Sequence, residues 1–128
     1  MDIKFTKTHL WVRELEEGVL LMGLSGHAVM SLERVEYIDT TILQRVVKSG
    51  EDMGSVESTK TASSIVCPFD LEILDKRDDS EIDLDKFNEN PESEDNWLYK
   101  VSPKGDYKDA LMSAEDYAKT LGMPDETA

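Results

Sequence analysis

Hydrophobic and polar residues alternate over short stretches along most of the chain, which is the pattern expected of β-strands. Residues 5–12 form the first stretch, and a Glu-Glu-Gly turn at residues 16–18 separates it from an apolar run at residues 19–24. That run is apolar throughout, as in a strand buried on both faces. Further strands are predicted at residues 35–39, 41–47, 65–74 (with a bend at Pro68) and 97–101. Many short strands favour a compact sandwich or barrel-like β-domain.

Helical signals are few and short. Ser25 can cap a first helix, whose apolar face would carry Ala28, Leu32 and Val35. A C-terminal helix is predicted at about residues 113–121, because a serine cap precedes it and a glycine follows it. Two other segments are predicted from their polarity: residues 83–90 as a short helix or a loop, and residues 123–128 as a frayed tail.

Length and charge limit the classes of function. At 128 residues the chain is predicted to be a single domain, residues 1–128. Its net charge of −14 argues against nucleic acid and anionic lipid as partners, because both are bound mainly through Lys and Arg. No apolar stretch reaches the length of a membrane span, and residues 1–5 contain no signal-peptide core. We therefore expect a cytoplasmic protein without a membrane partner.

The negative charge is concentrated in one acidic segment, residues 75–95. This segment contains ten acidic residues and three basic ones, which accounts for half of the net charge. A solvated surface segment explains the pattern most simply, and a docking face for a basic partner protein is the alternative.

Residues with catalytic or metal-binding chemistry are isolated in the sequence. Cys67 is the only cysteine, and neither His9 nor His27 lies near it in sequence. The acids at 78–79, 83 and 85 lack the glycine and the distal glutamate of a calcium loop. We therefore predict no catalytic residue, no metal site and no enzymatic activity of the chain itself.

One lysine, Lys60, stands out by its surroundings. It lies within Gly-Ser-Val-Glu-Ser-Thr-Lys-Thr-Ala-Ser, residues 54–63, among small and hydroxylated side chains. The apolar pairs at residues 46–47 and 65–66 suggest strands on either side of it. A lysine at a hairpin tip is a poor core residue and a good attachment point, although a lone surface lysine is ordinarily only a solvated charge.

Three motifs together resemble the H protein of the glycine cleavage system. They are Glu-Ser-x-Lys-x-Ala-Ser at residues 57–63, His-x-Trp-Val at residues 9–12 and Trp-Leu-x-Lys at residues 97–100. The resemblance extends from about residue 9 to residue 121. It implies a mainly β fold, a lipoyl/biotinyl-type hybrid barrel-sandwich with short helices and a C-terminal helix. The lysine hairpin would then occupy about residues 46–74.

The resemblance also implies a function. Lys60 would carry lipoate in amide linkage, and Glu57 and Ser58 would help the attaching enzyme to recognise the hairpin. The chain would be a non-catalytic carrier with a swinging arm, which shuttles a lipoate-bound aminomethyl group from glycine between enzymes. The implied partners are a lipoate ligase or lipoyltransferase, dihydrolipoamide dehydrogenase, glycine decarboxylase and aminomethyltransferase.

Several positions depart from the family pattern. A turn that usually reads Ser-Gly-Glu is Asp-Leu-Glu here, at residues 70–72. Leu10 and Ser64 replace two acids that, in H proteins, belong to the cleft that holds the amine of the loaded arm, and Glu33 replaces a glycine after the first helix. A different cargo is therefore the first alternative. It would be sulfur, passed among sulfur-transfer enzymes of a heterodisulfide-reductase-like system, or a lipoate relay or redox role. The second alternative is an unmodified binding module that docks through its acidic segment.

Overall fold

Two antiparallel sheets form the framework of the computed structural model, which describes residues 3–122. The larger sheet has six strands in the order β1-β2-β3-β9-β8-β5, and the smaller one has the order β4-β6-β7. Strand accounts for 36% and helix for 22%, so the predicted mainly β class is confirmed. The strands are β1 Lys4–Phe5, β2 Leu10–Glu16, β3 Val19–Leu24, β4 Tyr37–Asp39, β5 Val46–Val47, β6 Asp52–Glu57, β7 Ala62–Val66, β8 Leu71–Lys76 and β9 Tyr99–Pro103. The α-helices are α1 Gly26–Leu32, α2 Leu84–Glu89 and α3 Ala114–Thr120, and 3₁₀ turns occupy Glu94–Asn96 and Lys108–Ala110.

The core explains why β3 is apolar on both faces. Met22 points into the main cluster, where side chains of both sheets pack, among them Ile38 and Val101. Leu21 points the opposite way into a smaller cluster with Phe5, Trp11 and Tyr117. Helix α3 supplies Tyr117, so this second cluster attaches the C-terminal helix to the outer face of the larger sheet.

The single strand predicted at residues 5–12 is wrong, because the chain turns within it. The N–H of His9 donates to Thr6 O at 3.1 Å, and the N–H of Thr6 donates to Leu10 O at 3.0 Å. β1 therefore folds back antiparallel on β2, with Lys4 opposite Val12. Aromatic and β-branched residues continue through this turn, so the residue types alone do not indicate it.

The segment at residues 46–74 contributes strands to both sheets, so the lysine hairpin is shorter than predicted. Only β6 and β7, residues 52–66, form the hairpin, whereas β5 pairs with β8 in the larger sheet. A turn at Gly50, with φ 90°, ends β5. A bend that contains Pro68 separates β7 from β8, so the strand predicted at residues 65–74 is in fact two strands.

Helices α1 and α3 begin where their serine caps predict, but α1 ends at Leu32, so Val35 lies outside the helix on whose apolar face it was predicted. Ser25 Oγ accepts from the N–H of Ala28 at 3.1 Å, and Ser113 Oγ accepts from the N–H of Asp116 at 3.1 Å. Gly122, with φ 72°, follows α3. The predicted tail at residues 123–128 lies outside the described residues. No helix in the described part of the chain is long and apolar enough to cross a membrane.

The acidic segment, residues 75–95, is structured. It runs from the end of β8 through α2 to the 3₁₀ turn, and the fully buried ring of Phe87 anchors α2 in the main core. Asp83 caps α2 by accepting from the N–H groups of Asp85 and Lys86. Part of the acidity therefore serves helix capping, whereas most of the carboxylates remain exposed to solvent.

Strand β6 of the hairpin packs closely against the backbone of β4 and the side chain of Tyr99. Gly54 lies in β6, where a Cβ atom would meet the Asp39 carbonyl oxygen and would lie 2.6 Å from the Tyr99 hydroxyl oxygen. That hydroxyl donates to Met53 O at 2.7 Å. Gly54 is therefore required for the close approach of the backbone and the Tyr99 hydroxyl inside a strand.

Candidate functional site

Lys60 lies in the turn that connects β6 and β7, at the tip of the hairpin, as the sequence predicted. The two strands remain paired up to Glu57 opposite Ala62. Ser58 closes the turn, because its N–H donates to Thr61 O at 2.8 Å and its Oγ accepts from the N–H groups of Lys60 and Thr61. The backbone at Lys60 is thus fixed while 54% of its side chain stays exposed.

Glu33 contacts Lys60 directly. Its Oε1 lies 2.8 Å from Lys60 Nζ, and 73% of its side chain is exposed. Glu33 follows α1 with φ 69° and ψ −59°, and the N–H of Arg34 donates to Leu32 O across it at 2.9 Å. This is the strained form of γ-turn, which is rare for a residue with a side chain. The sequence marked Glu33 only as a replacement for glycine, so its pairing with Lys60 was missed.

Glu57 and Ser58, the two predicted recognition residues, differ in their surroundings. Glu57 is exposed at the end of β6, and its carbonyl accepts from the N–H of Glu36 at 2.7 Å. Ser58 is half-buried and shapes the turn through the hydrogen bonds described above. Glu57 therefore presents an exposed carboxylate at the end of the strand that leads into the turn, whereas the contribution of Ser58 is mainly to backbone geometry.

A cleft of about 470 Å³ opens beside the hairpin, between β7, α1 and the turn that joins β1 to β2. Its titratable lining consists of Lys7, His9 and His27, and within the described part of the chain no Asp or Glu lines it. The remaining lining is apolar or hydroxylated. It consists of Thr8, Leu24, Ala28, Ser31, Leu32, Val56, Ser63, Ser64, Ile65 and Val66.

His9 is held in place at the edge of this cleft. Its φ is 69°, a left-handed value that costs about 1–3 kcal/mol for a residue other than glycine. Its Nδ1 lies 2.7 Å from the Tyr117 hydroxyl oxygen, and its ring centroid lies 5.4 Å from that of His27. Partial burial, and then the proximity of His27, lower the pKa of His9 from its ordinary value. His9 therefore makes a structural hydrogen bond whose partner lies on α3.

Only one of the two substituted acid positions faces the cleft. Ser64 on β7 lines it, whereas Leu10 is fully buried in the main core. Leucine at position 10 therefore contributes to packing, and the side chain that changes the polarity of the cleft is Ser64.

The two tryptophans of the family motifs and Cys67 take part in packing and not in the site. Trp11 is fully buried, and its Nε1–H donates to Pro91 O at 2.7 Å. Trp97 is half-buried, and the guanidinium carbon of Arg77 lies 4.3 Å from its ring centroid. Cys67 is fully buried, and burial raises the pKa of its thiol to about 11. Among residues 3–122, no group of three or more His, Cys, Asp or Glu side chains could hold a metal ion.

Comparison with known proteins agrees with this arrangement. A family model described as the glycine cleavage H-protein matches residues 3–123. A glycine cleavage system H protein of Paraburkholderia phymatum is 34% identical over 122 residues, which cover 94% of this chain and 95% of the relative. One from Thermotoga maritima is 36% identical over 110 residues, which cover 84% of this chain and 87% of the relative.

The fold also matches a solved structure. A crystal structure of a glycine cleavage system H protein from Mycobacterium marinum aligns with a TM-score of 0.76 at 27% identity. The alignment covers 95% of this chain and 98% of that chain. Sequence and fold therefore agree along nearly the whole length, and the chain belongs to the glycine cleavage H-protein family.

Proposed function

We propose that Lys60 carries lipoate in amide linkage and that the protein shuttles the aminomethyl group of glycine between the enzymes of the glycine cleavage system. Members of this family carry lipoate on a lysine and are carrier subunits without catalytic activity of their own. The observation that carries the proposal is the position of Lys60, exposed at the tip of a hydrogen-bonded hairpin beside a cleft.

The surroundings of Lys60 fit a covalently attached arm. Its ammonium is accessible, and its only ion pair among the described residues is with an exposed carboxylate, so acylation breaks one weak surface contact. The cleft beside it offers apolar walls to the chain of the arm. Lipoate supplies a disulfide that can accept a cargo and two thiols that can be reoxidised. The protein positions this chemistry and raises its local concentration at each partner.

The proposed partners follow from the family. They are glycine decarboxylase, aminomethyltransferase and dihydrolipoamide dehydrogenase, with a lipoate ligase or lipoyltransferase as the attaching enzyme. We place the protein in the cytoplasm with them. Because the chain is strongly acidic and Glu57 is exposed at the end of the strand that leads into the Lys60 turn, we expect the attaching enzyme to approach with a basic surface.

The alternatives that the sequence left open gain no support from the comparisons. The relatives reported above are described as glycine cleavage H proteins, not as sulfur-transfer or relay proteins. An unmodified module would not need an exposed lysine on a fixed turn. The aminomethyl group is therefore the cargo that we propose.

The first experiment is peptide mass spectrometry after co-expression with a lipoate ligase and lipoate. We expect a lipoyl adduct on Lys60, its loss in Lys60→Arg, and its retention in Lys48→Arg, a control at another exposed lysine. An unmodified Lys60, in cells whose other lipoyl proteins are modified, would overturn the attachment site.

A second experiment tests the cargo. The lipoylated protein is added as sole carrier to glycine decarboxylase, aminomethyltransferase and dihydrolipoamide dehydrogenase, together with NAD⁺ and the one-carbon acceptor of the transferase, and glycine-dependent NADH formation is followed. Turnover is expected with the lipoylated wild type and not with Lys60→Arg. If lipoylated protein supports no turnover while a known H protein does, the aminomethyl cargo is wrong although the attachment site stands.

A further inference from the structure

The cleft beside Lys60 combines basic groups with apolar walls. Lys7 is exposed at its edge, and the imidazoles of His9 and His27 face each other with centroids 5.4 Å apart. Leu24 and Ile65 contribute apolar surface, and both are buried. In the described part of the chain, the lining contains no negative charge that could oppose Lys7.

This lining discriminates between an uncharged and a cationic occupant. A cation that enters loses part of its hydration and gains no carboxylate partner from the lining, and the exposed ammonium of Lys7 adds at most a weak repulsion. An uncharged ring or thioether loses no ionic hydration and gains contact with the apolar walls. Both effects have the same sign, and they favour the uncharged occupant.

We infer that this cleft holds the end of the lipoyl arm when that end is uncharged and leaves it in solvent when that end carries a cationic amine. The inference rests on the attachment of lipoate to Lys60. If the inference holds, Ser64 is the specificity-determining position. This exposed residue of β7 lines the cleft, and a carboxylate there would face the entering group.

Glu33 does not replace the missing acid. Its carboxylate lies 2.8 Å from Lys60 Nζ, which is the attachment atom and not the loaded end of the arm. Acylation removes the charge of Lys60 and leaves Glu33 without this partner, but the side chain is 73% exposed and is not part of the cleft lining. An exposed carboxylate attracts a cation only weakly in water.

The test uses arms of similar size that differ in charge. The lipoylated protein is reduced, and the thiols of the arm are alkylated with 2-bromoethylamine, iodoacetamide or iodoacetate, which give a cationic, a neutral or an anionic end. Cys67 is fully buried and the pKa of its thiol is raised to about 11, so it is spared under native conditions. Mass spectrometry first confirms the lipoyl adduct and the site of alkylation.

The readout is the NMR spectrum of the cleft, in the imidazole signals of His9 and His27 and the amide of Ser64. Relative to the unlipoylated protein, we expect the neutral and anionic arms to shift these signals. The docked fraction of the cationic arm should be lower by about five-fold or more. Ser64→Asp should bring the cationic arm into the cleft, whereas the neutral isostere Ser64→Asn should not.

Several outcomes would overturn the inference. Equal shifts from the cationic and neutral arms would show that the cleft does not discriminate, and no shift from any arm would show that it holds none. Docking of the cationic arm that disappears in Glu33→Gln would identify Glu33 as the missing acid. Absence of the adduct on Lys60 is a separate result, because it removes the attachment site of the proposed function.

Discussion

The hydroxyl oxygen of Tyr117 lies 2.7 Å from Nδ1 of His9, so the C-terminal helix contacts the edge of the cleft through one polar pair. The same hydroxyl lies 2.8 Å from Ser25 Oγ, the N-cap of α1. The phenol of Tyr117 on α3 therefore links the C-terminal helix to both the β1–β2 turn and the start of α1. Its ring stacks on Phe5 at a centroid distance of 4.8 Å.

Tyr117→Phe is expected to keep the stacking and to lose both hydrogen bonds. Because His9 and Ser25 then lack this partner, we expect a loss of about 1–2 kcal/mol in the free energy of unfolding, measured by urea denaturation. Tyr107→Phe is the matched control, since the Tyr107 hydroxyl makes no hydrogen bond to the described residues. Equal losses in the two variants would contradict a specific role for Tyr117.

Acid should destabilise the protein partly through His9. Because the pKa of His9 is lowered in the folded state, the unfolded state binds more protons just below the ordinary value of 6.5. This part of the stability is present above pH 6.5 and is lost as the pH falls through the lower, folded pKa. Urea denaturation across this range should show the loss, and NMR titration should place His9 below 6.5.

The control for this pH dependence is His9→Asn, because asparagine tolerates the positive φ at this position. The variant should show a smaller loss of stability between pH 6.5 and pH 5. A pH profile identical to that of the wild type would mean that other groups cause the dependence.

Substitutions at Glu33 separate backbone strain from the ion pair. Glu33→Gly removes both the pair and the strain of the γ-turn, and we expect a gain of about 1 kcal/mol in the free energy of unfolding. Glu33→Gln keeps the strain and loses the pair, so a loss of less than about 1 kcal/mol is expected. Thermal or urea unfolding measures both, and a loss in Glu33→Gly larger than that in Glu33→Gln would show that the backbone is not strained.

The close packing at Gly54 predicts a large effect from one methyl group. In Gly54→Ala the new Cβ would collide with the Asp39 carbonyl and the Tyr99 hydroxyl, so the strand must shift. We expect a loss of about 2–3 kcal/mol by urea denaturation. Ser55→Ala, the neighbouring position in β6, should lose less than about 1 kcal/mol. Similar losses at the two positions would contradict the close approach.

Local signals predicted the helices and the position of the lysine well. Ser25 and Ser113 cap α1 and α3 through side-chain hydrogen bonds, which depend on residues within one turn. The turn around Lys60 is likewise closed by its neighbour Ser58. Such features are determined over a few residues, and the residue types alone indicate them.

The hydrophobic pattern did not predict which strands share a sheet or which residues line the cleft. β5 and β6 are separated by four residues, yet they belong to different sheets, because their pairing depends on distant strands. The pairing of Glu33 with Lys60 spans 27 positions, and Leu10 lies in the core although its position suggested the cleft. Contacts of this kind follow from the tertiary fold, which residue spacing does not specify.

The environment of Cys67 has a consequence for any chemistry on the arm. The S–H of this residue donates to Phe69 O at 3.0 Å, is closed off from solvent, and stays protonated at neutral pH because its pKa is raised to about 11. Thiol–disulfide exchange needs an accessible thiolate. A dithiol arm on Lys60 would therefore find no competing reactive thiol among the described residues, so the carrier itself would not take up the electrons of the reduced arm.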